Sequence, residues 1–241
     1  MGLYRDEGLV LRTLRLGESD RIVTLLTLGR GKVRAVAKGV RKTKSRFGGR
    51  LEPLGHVSVL FYEGRELDIV TQADSLETFR LIREDLDRLA KAHVLLEVTD
   101  QVAQERQANV QLYQMLVGAL RALSAHDSPL LVPAFILKVL AGEGAQPVTG
   151  RCAGCDGPPP LVGFDLLEGG ALCSACAGRV SAPAISPEAL DLVHRVLTGD
   201  LAGALNHGAG PATSEVDRLT TRSFEHHVER RLKSATVLDR S

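Results

Sequence analysis

At 241 residues, with 44% hydrophobic and 24% charged residues, the chain has room for two or three small domains and the balance of an ordinary globular protein. No run approaches the roughly 18 apolar residues of a spanning helix, and the opening MGLYRDEGLV is charged where an export signal would be apolar, so a cytoplasmic protein outside the membrane is expected. The net charge of +1 hides an asymmetry: Arg30 to Arg50 holds nine Lys or Arg and no acid, which leaves the rest of the chain eight charges negative and suits docking to a polyanion by one surface.

From Glu7 to about residue 73 the segments GLVLRTLRL, RIVTLLT, GKVRAVAKGV, HVSVLFYEG and RELDIVTQA are rich in Val, Ile and Leu and are separated by turns containing Gly. This predicts five short strands in a small barrel or meander. In the third, Lys32 and Arg34 alternate with apolar residues, so basic side chains line one face while Val33 and Val36 turn elsewhere. After Asp74 and Ser75, the residues Phe79, Ile82, Leu86, Leu89 and Leu96 recur at helical spacing behind an N-cap. Two more helical runs follow, NVQLYQMLVGALRALS and VPAFILKVLAGEG, the second ended by Gly142, Gly144 and Pro147. A proline-containing cysteine segment comes next and reads as a compact ribbon or knuckle. Ser186 and Pro187 then open another helix, and TSEVDRLTTRSFEHHVERRLKSATVL forms a closing amphipathic one. Residues 1–78 are therefore expected to form one domain and 79–241 a helical one, with the cysteine segment at 150–180 inserted in it.

The sharpest signal is Cys152-x2-Cys155 followed by Cys173-x2-Cys176. In a chain without an export signal thiols stay reduced, and two CxxC pairs can close a tetrahedral thiolate shell around one structural Zn²⁺ per chain. An all-sulfur shell leaves no open position for substrate. A zinc deaminase is excluded by order: the only HxE, His227-Val228-Glu229, follows both pairs, and Arg151 and Leu172 stand where a proline is needed. Gly29-Arg30-Gly31-Lys32-Val33 lacks the first glycine and the final Ser or Thr of a phosphate loop, so ATP hydrolysis is not expected. His194, His207, His226 and His227 lie in a helical, acid-rich part and carry no assigned chemistry.

The basic stretch reads as the wall of a phosphate-binding groove, with Lys38, Arg41, Lys42, Lys44, Arg46 and Arg50 contacting backbone and Gly39, Gly48 and Gly49 letting the loop follow a strand. The plainer reading is a solvated loop, but charge this dense without interleaved acids favours nucleic acid. The chain has no Trp, and the stretch contains only Phe47 as an aromatic. With few stacking platforms, affinity comes mainly from phosphates and base edges stay free to pair, unless Tyr4, Phe61 or Tyr62 stacks a base. The closing helix, with Arg218, Arg222, Arg230, Arg231 and Lys233 beside Val216, Leu219, Phe224, Val228 and Leu232, reads as a packed amphipathic element, with a peptide site as the other possibility.

Gly17-Glu18-Ser19-Asp20, Ala37-Lys38-Gly39 and Ser45 after the basic cluster, and the block Phe135, Lys138, Leu140, Gly144 and Pro147 leading to Cys152 and Cys155, occur in an order and spacing that resembles the RecO family over nearly the whole chain. The resemblance implies an α+β multidomain protein, an OB-fold-like barrel followed by an α-helical domain bearing the zinc segment. It implies a recombination mediator of RecF-pathway repair that is not an enzyme and that associates with the nucleoid when engaged. Its partners would be single- and double-stranded DNA, RecR and single-strand DNA-binding protein, with annealing of coated strands and, indirectly, help in loading RecA. The phosphate-binding surface carries over to Arg34, Lys38, Arg41, Lys42, Lys44, Arg46 and Arg50. Some members lack the cysteines, which implies that zinc supports the fold. Two other functions compete: a scaffold whose basic loop binds acidic proteins, and a zinc-dependent enzyme acting on nucleic acid.

Overall fold

A computed structural model describes residues 2–234 of the chain. They divide after Ala125 into two compact units, each taken here by itself.

In the first unit, β1 (Leu3–Leu16), β2 (Asp20–Thr27), β3 (Gly31–Ala37), β4 (His56–Tyr62) and β5 (Asp68–Glu77) close into a barrel in the order β1-β2-β3-β5-β4. β4 returns antiparallel to β1, from Leu3↔Tyr62 to Leu9↔His56. β3 and β5 run parallel and meet only at Ala35↔Asp68 and Val36↔Ile69. This is the connectivity of a five-stranded Greek-key barrel of the OB type. Period-two alternation builds it: Val33, Ala35 and Ala37 of β3 point inward to meet Val10, Leu25 and Phe61. Lys32 and Arg34 point outward as expected, but Val36 shares their face, because the strand keeps strict alternation through Ala35. Gly31, at φ +67°, starts β3 where a Cβ would lie 1.8 Å from the Gln107 carbonyl oxygen, so only glycine fits.

The change of character near residue 78 is where β5 gives way to helices, yet no single helix follows Ser75. β5 runs on to Glu77, and Phe79 takes a left-handed conformation at φ 47° while burying its ring. After the single turn α1 (Arg80–Arg83), α2 (Leu86–Val102) begins afresh, because the Asp85 carboxylate accepts from the backbone N–H groups of Asp87 and Arg88 at 3.0 and 3.1 Å. Leu86, whose spacing predicts a core position, is 80% exposed, and α2 buries Ala92, Val94, Leu95, Leu96, Val98 and Thr99 instead. Asp100 on α2 accepts from Arg12 Nε of β1 at 2.6 Å, and its backbone carbonyl accepts from Lys32 Nζ of β3 at 2.7 Å. With α3 (Val110–Ala125), these helices belong to the barrel's unit.

The second unit packs α4 (Leu131–Gly142), α6 (Pro187–Thr198) and α8 (Pro211–His227) around Leu137, Leu192, Val196 and Val216. Between α4 and α6 lie the hairpin β6 (Leu161–Asp165) and β7 (Gly170–Cys173) and the short α5 (Ser174–Val180); α7 (Leu201–Leu205) follows α6. The Ser186 cap is as expected, its Oγ accepting from Ala189 N–H at 3.2 Å. α8 ends at His227, earlier than the amphipathic pattern suggested: Glu229 at φ 53° turns the chain, and Leu232 folds back into the core with its N–H bonded to Glu225 Oε1 at 2.8 Å. Residues 235–238 of the expected helix lie outside the described residues. Among the described residues, no helix is long and apolar enough to cross a membrane.

Candidate metal centre and nucleic-acid interface

Two knuckles bring the four cysteines together. In the first, Cys152 N–H donates to the Gly157 carbonyl and Asp156 N–H to the Cys152 carbonyl, both at 2.8 Å, with Asp156 in the left-handed region. This tight turn aims the Cys152 and Cys155 sulfurs the same way. The second is the end of β7, where Cys173 leads into α5 and Cys176 follows within its first turn. Ala153 N–H donates to the Ala171 carbonyl at 2.8 Å and zips the knuckles together.

All four sulfurs lie within 4.8 Å of one another, and Cys155 Sγ is 3.9 Å from Cys173 Sγ. A tetrahedral shell with metal–sulfur bonds of about 2.3 Å has edges of about 3.8 Å, so the set is already near ligating geometry. Backbone and side-chain donors reach the sulfurs, with Cys173 N–H to Cys152 Sγ at 3.3 Å and Arg179 Nη2 to Cys176 Sγ at 2.8 Å. The Cys152 thiol is pulled down to about 6, chiefly by the Cys173 N–H. At Cys176 the Arg179 hydrogen bond also lowers the pKa, but desolvation and the three neighbouring sulfurs outweigh it and push the thiol up to about 12. Four crowded thiols resist ionising together, and a thiophilic dication removes that conflict. Cys152 and Cys176 are buried in the same apolar cluster as Leu172, Ala134 and Val193, so the centre is part of the core of its unit.

The basic loop joins β3 to β4 as a series of turns through residues 38–55. Lys38, Arg41, Lys42, Lys44, Arg46 and Arg50 are exposed, while Phe47, Leu51 and Leu54 are buried. Phe47 and Leu51 enter the barrel core, so the charges sit on a loop anchored from beneath. Lys38, Lys42 and Lys44 make no side-chain hydrogen bond or ion pair of their own among the described residues. Arg50 Nη1 donates to the Arg46 carbonyl at 3.1 Å, and the Arg46 guanidinium lies 4.9 Å from the Phe47 ring centroid. Arg34 stands apart on the outer face of β3, half-buried, with Nη1 3.8 Å from Glu105.

Of the aromatic residues Phe47, Tyr4, Phe61 and Tyr62, Phe47 and Phe61 are buried. Tyr4 stacks on Phe61, lies under the Arg30 guanidinium at 3.8 Å and donates its hydroxyl to the fully buried Asp68. Asp68 also accepts from Arg106 Nη2 at 2.8 Å. Only Tyr62, 42% exposed, is open for stacking among those four.

Two contacts escaped the sequence reading. One is Arg179, whose position three residues after Cys176 on a helix is the signal that puts its guanidinium within reach of that sulfur. The other is a groove of about 460 Å³ between the β6–β7 hairpin and α8, floored by Phe164, Leu166 and Leu219 and flanked by Arg218, Arg222 and His226. Val216 and Phe224 are buried as the amphipathic reading of the closing segment requires, Leu219 and Val228 are partly buried, and Leu232 is buried only because the chain turns back after α8. His194 and His207 bond Thr149 Oγ1 at 3.0 Å and Glu188 Oε1 at 3.1 Å, whereas His226 and His227 are exposed at the end of α8.

Residues 1–79 match the family model "Recombination protein O N terminal" and residues 83–236 match "Recombination protein O C terminal". The chain is 42% identical over 245 residues to a DNA repair protein RecO of Frankia casuarinae, with both chains fully covered. It is 44% identical over 246 residues to the protein of that name from Nocardioides sp., covering 99% of this chain and 100% of the relative. Against the protein of that name from Streptomyces coelicolor it is 41% identical over 251 residues, again with both fully covered. With a closed five-stranded barrel, a helical second unit and a four-cysteine cluster, and with relatives aligned end to end, the chain belongs to the RecO family of DNA repair and recombination proteins.

Proposed function

We propose that this chain is a recombination mediator without turnover chemistry. It binds single- and double-stranded DNA, pairs complementary strands, including those coated with single-strand DNA-binding protein, and works with RecR to assist RecA loading in the bacterial cytoplasm. In this reading residues 1–78 are the DNA-binding part and residues 79–241 carry the zinc segment at 150–180. The observation that carries it is the loop between β3 and β4, where six cationic side chains face solvent above an apolar anchor. Phosphates are the ligand that such a surface recognises. Because Phe47 and Phe61 are committed to the core, few rings can capture bases, and strands held by their phosphates keep their pairing edges free. Lys38, Arg41, Lys42, Lys44, Arg46 and Arg50 bind backbone from the loop, and Arg34 does so from β3.

Zn²⁺ is the ion that suits four thiolates in a closed tetrahedron; bound there by Cys152, Cys155, Cys173 and Cys176, it would stabilise the fold and perform no reaction. The groove beside α8 sets Arg218 and Arg222 next to apolar side chains, the combination needed for the acidic tail of single-strand DNA-binding protein, while the lining carboxylates Asp165 and Glu215 confine such a tail to the arginine side.

Pairing of two complementary strands, bare and coated, without ATP and across a salt titration tests this function. For four to six phosphate contacts, log affinity for single strands should fall with log salt at a slope of about −3 to −4. Converting Lys38, Arg41, Lys42 and Lys44 to Glu should abolish pairing while leaving the fold intact. Unchanged pairing by that variant would refute the loop as the DNA site, and binding without pairing would favour a scaffold.

A further inference from the structure

The basic loop is pinned at both ends by consecutive residues of β2. At its start, Asp20 Oδ1 accepts the Gly39 N–H at 2.8 Å and the Ser19 hydroxyl at 2.9 Å. The β1–β2 turn completes the hold: the Glu18 carbonyl accepts from Arg41 Nη1 at 2.8 Å, and the Ser19 carbonyl from Arg41 N–H at 3.0 Å. Gly39, at φ +67°, is the residue whose backbone can turn to present that N–H. At the far end of the loop, Arg21 donates from Nη1 to Glu52 Oε1. The segments Gly17-Glu18-Ser19-Asp20 and Ala37-Lys38-Gly39, distant in sequence, are thus two halves of one clasp. Between these two holds, Phe47 and Leu51 fix the second half of the loop to the barrel core.

We infer that Asp20 and the Arg21–Glu52 pair are positioning residues for DNA binding, holding the basic loop in its binding-competent shape without touching DNA themselves. The inference rests on the loop being the DNA site. Its physical content is preorganisation: six like charges on an unrestrained loop would spread apart, and a strand would bind only the fraction of molecules with the loop closed. What the clasp needs at residue 20 is an oxygen acceptor; the same Gly39 N–H, and after it the Ser19 hydroxyl, hold the Asp20 carboxyl below the usual carboxylate range. Arg21, which charge alone would add to the phosphate ligands, is committed to Glu52 and only 23% exposed.

The sign of the effect separates this from simple electrostatics. Asp20→Ala and Glu52→Ala each remove a negative charge beside a DNA-binding loop, and attraction to phosphate alone requires both variants to bind more tightly. The clasp requires the opposite.

In the full-length protein, affinity for an unstructured single strand should fall about three- to tenfold in each variant, as expected if the competent fraction drops to between a third and a tenth. The salt slope should stay that of the wild type, because the same phosphates are met once the loop closes. Asp20→Asn keeps an oxygen acceptor for Gly39 and should bind nearly as well as the wild type. Without DNA, tryptic cleavage between Lys38 and Arg50 should accelerate in the alanine variants while cleavage elsewhere does not. Tighter or unchanged binding, a shallower salt slope, or a rise in cleavage over the whole chain would overturn the inference. If the wild type binds no strand, or if the fourfold Glu variant binds as well as the wild type, the DNA reading has failed; the cleavage pattern then still decides whether the clasp exists.

Discussion

The hairpin of β6 and β7 and the loop between β3 and β4 are both segments that regular secondary structure alone would not hold, and the chain stabilises them by opposite means. The hairpin, with the knuckle before it and the first turn of α5 after it, gathers four chemically identical side chains to one point and packs their backs against the helical core, so its geometry is set where its ligand would sit. The loop spreads its cations outward and is held from behind, by Phe47 and Leu51 in the barrel and by Asp20 and Arg21 of β2. A ligand that completes a structure needs convergence. A ligand as long as a nucleic-acid strand needs a presented row of contacts whose support lies elsewhere.

The largest effect that could break this contrast is metal removal. Chelation, or Cys176→Ser, should strip hydrogen-exchange protection from residues 150–185 while the barrel amides serve as an internal control. Structural zinc in zinc-finger peptides contributes on the order of 10–16 kcal/mol, so this loss should exceed that of any single barrel substitution. Retained protection after complete chelation would show that the hairpin stands on packing alone.

Next in size is Phe47→Ala, which removes a fully buried ring from under the basic loop. It should cost about 3–5 kcal/mol in urea unfolding and also weaken DNA binding, though no charge changes. A variant that loses stability but keeps full affinity would mean that the loop's shape does not depend on its anchor.

The smallest effect concerns pH. His56, at the start of β4, has Nε2 2.8 Å from the Tyr113 hydroxyl and Nδ1 3.7 Å from Glu77. Desolvation lowers its pKa below the ordinary 6.5, against the opposing pull of Glu77. The unfolded chain therefore takes up this proton before the folded one does. Stability from this group is complete above about pH 6.5 and is lost as pH falls toward the depressed folded value, by at most about 1.4 kcal/mol per pH unit, the limit for one proton. His56→Gln should flatten the difference in unfolding free energy between pH 7.5 and 5.5. An equal dependence in both proteins would place the titrating group elsewhere.

The same contrast explains what could be read without coordinates. Cysteine spacing encodes its own geometry, because two CxxC turns have few ways to fold around an ion. The barrel strands were legible because period-two alternation is local. The start of α2 was not, since Leu86 continued the helical spacing while the Asp85 cap and the left-handed Phe79 decided where the helix began. The loop's charges were plain in the sequence, but its supports were not: an acid at residue 20 bonded to an N–H at residue 39 leaves no local periodicity, and nothing around Phe47 marks that ring as an anchor in the core.

The order in which the barrel is strung along the chain bears on how the protein is made. β1 must wait for β4, up to Leu3↔Tyr62, and β3 meets β5 through only two residue pairs at Ala35 and Val36. Phe47 packs in the same core as Val57, Phe61, Val70 and Ala73, all of which follow it in the chain. During synthesis the cationic segment thus leaves the ribosome before the pocket that receives its anchor is complete, and these long-range pairings are the slow kind to form. A nascent chain halted before residue 70 would display the full charge of the loop on a barrel that β5 has not yet closed, able to attract any polyanion before its support is complete.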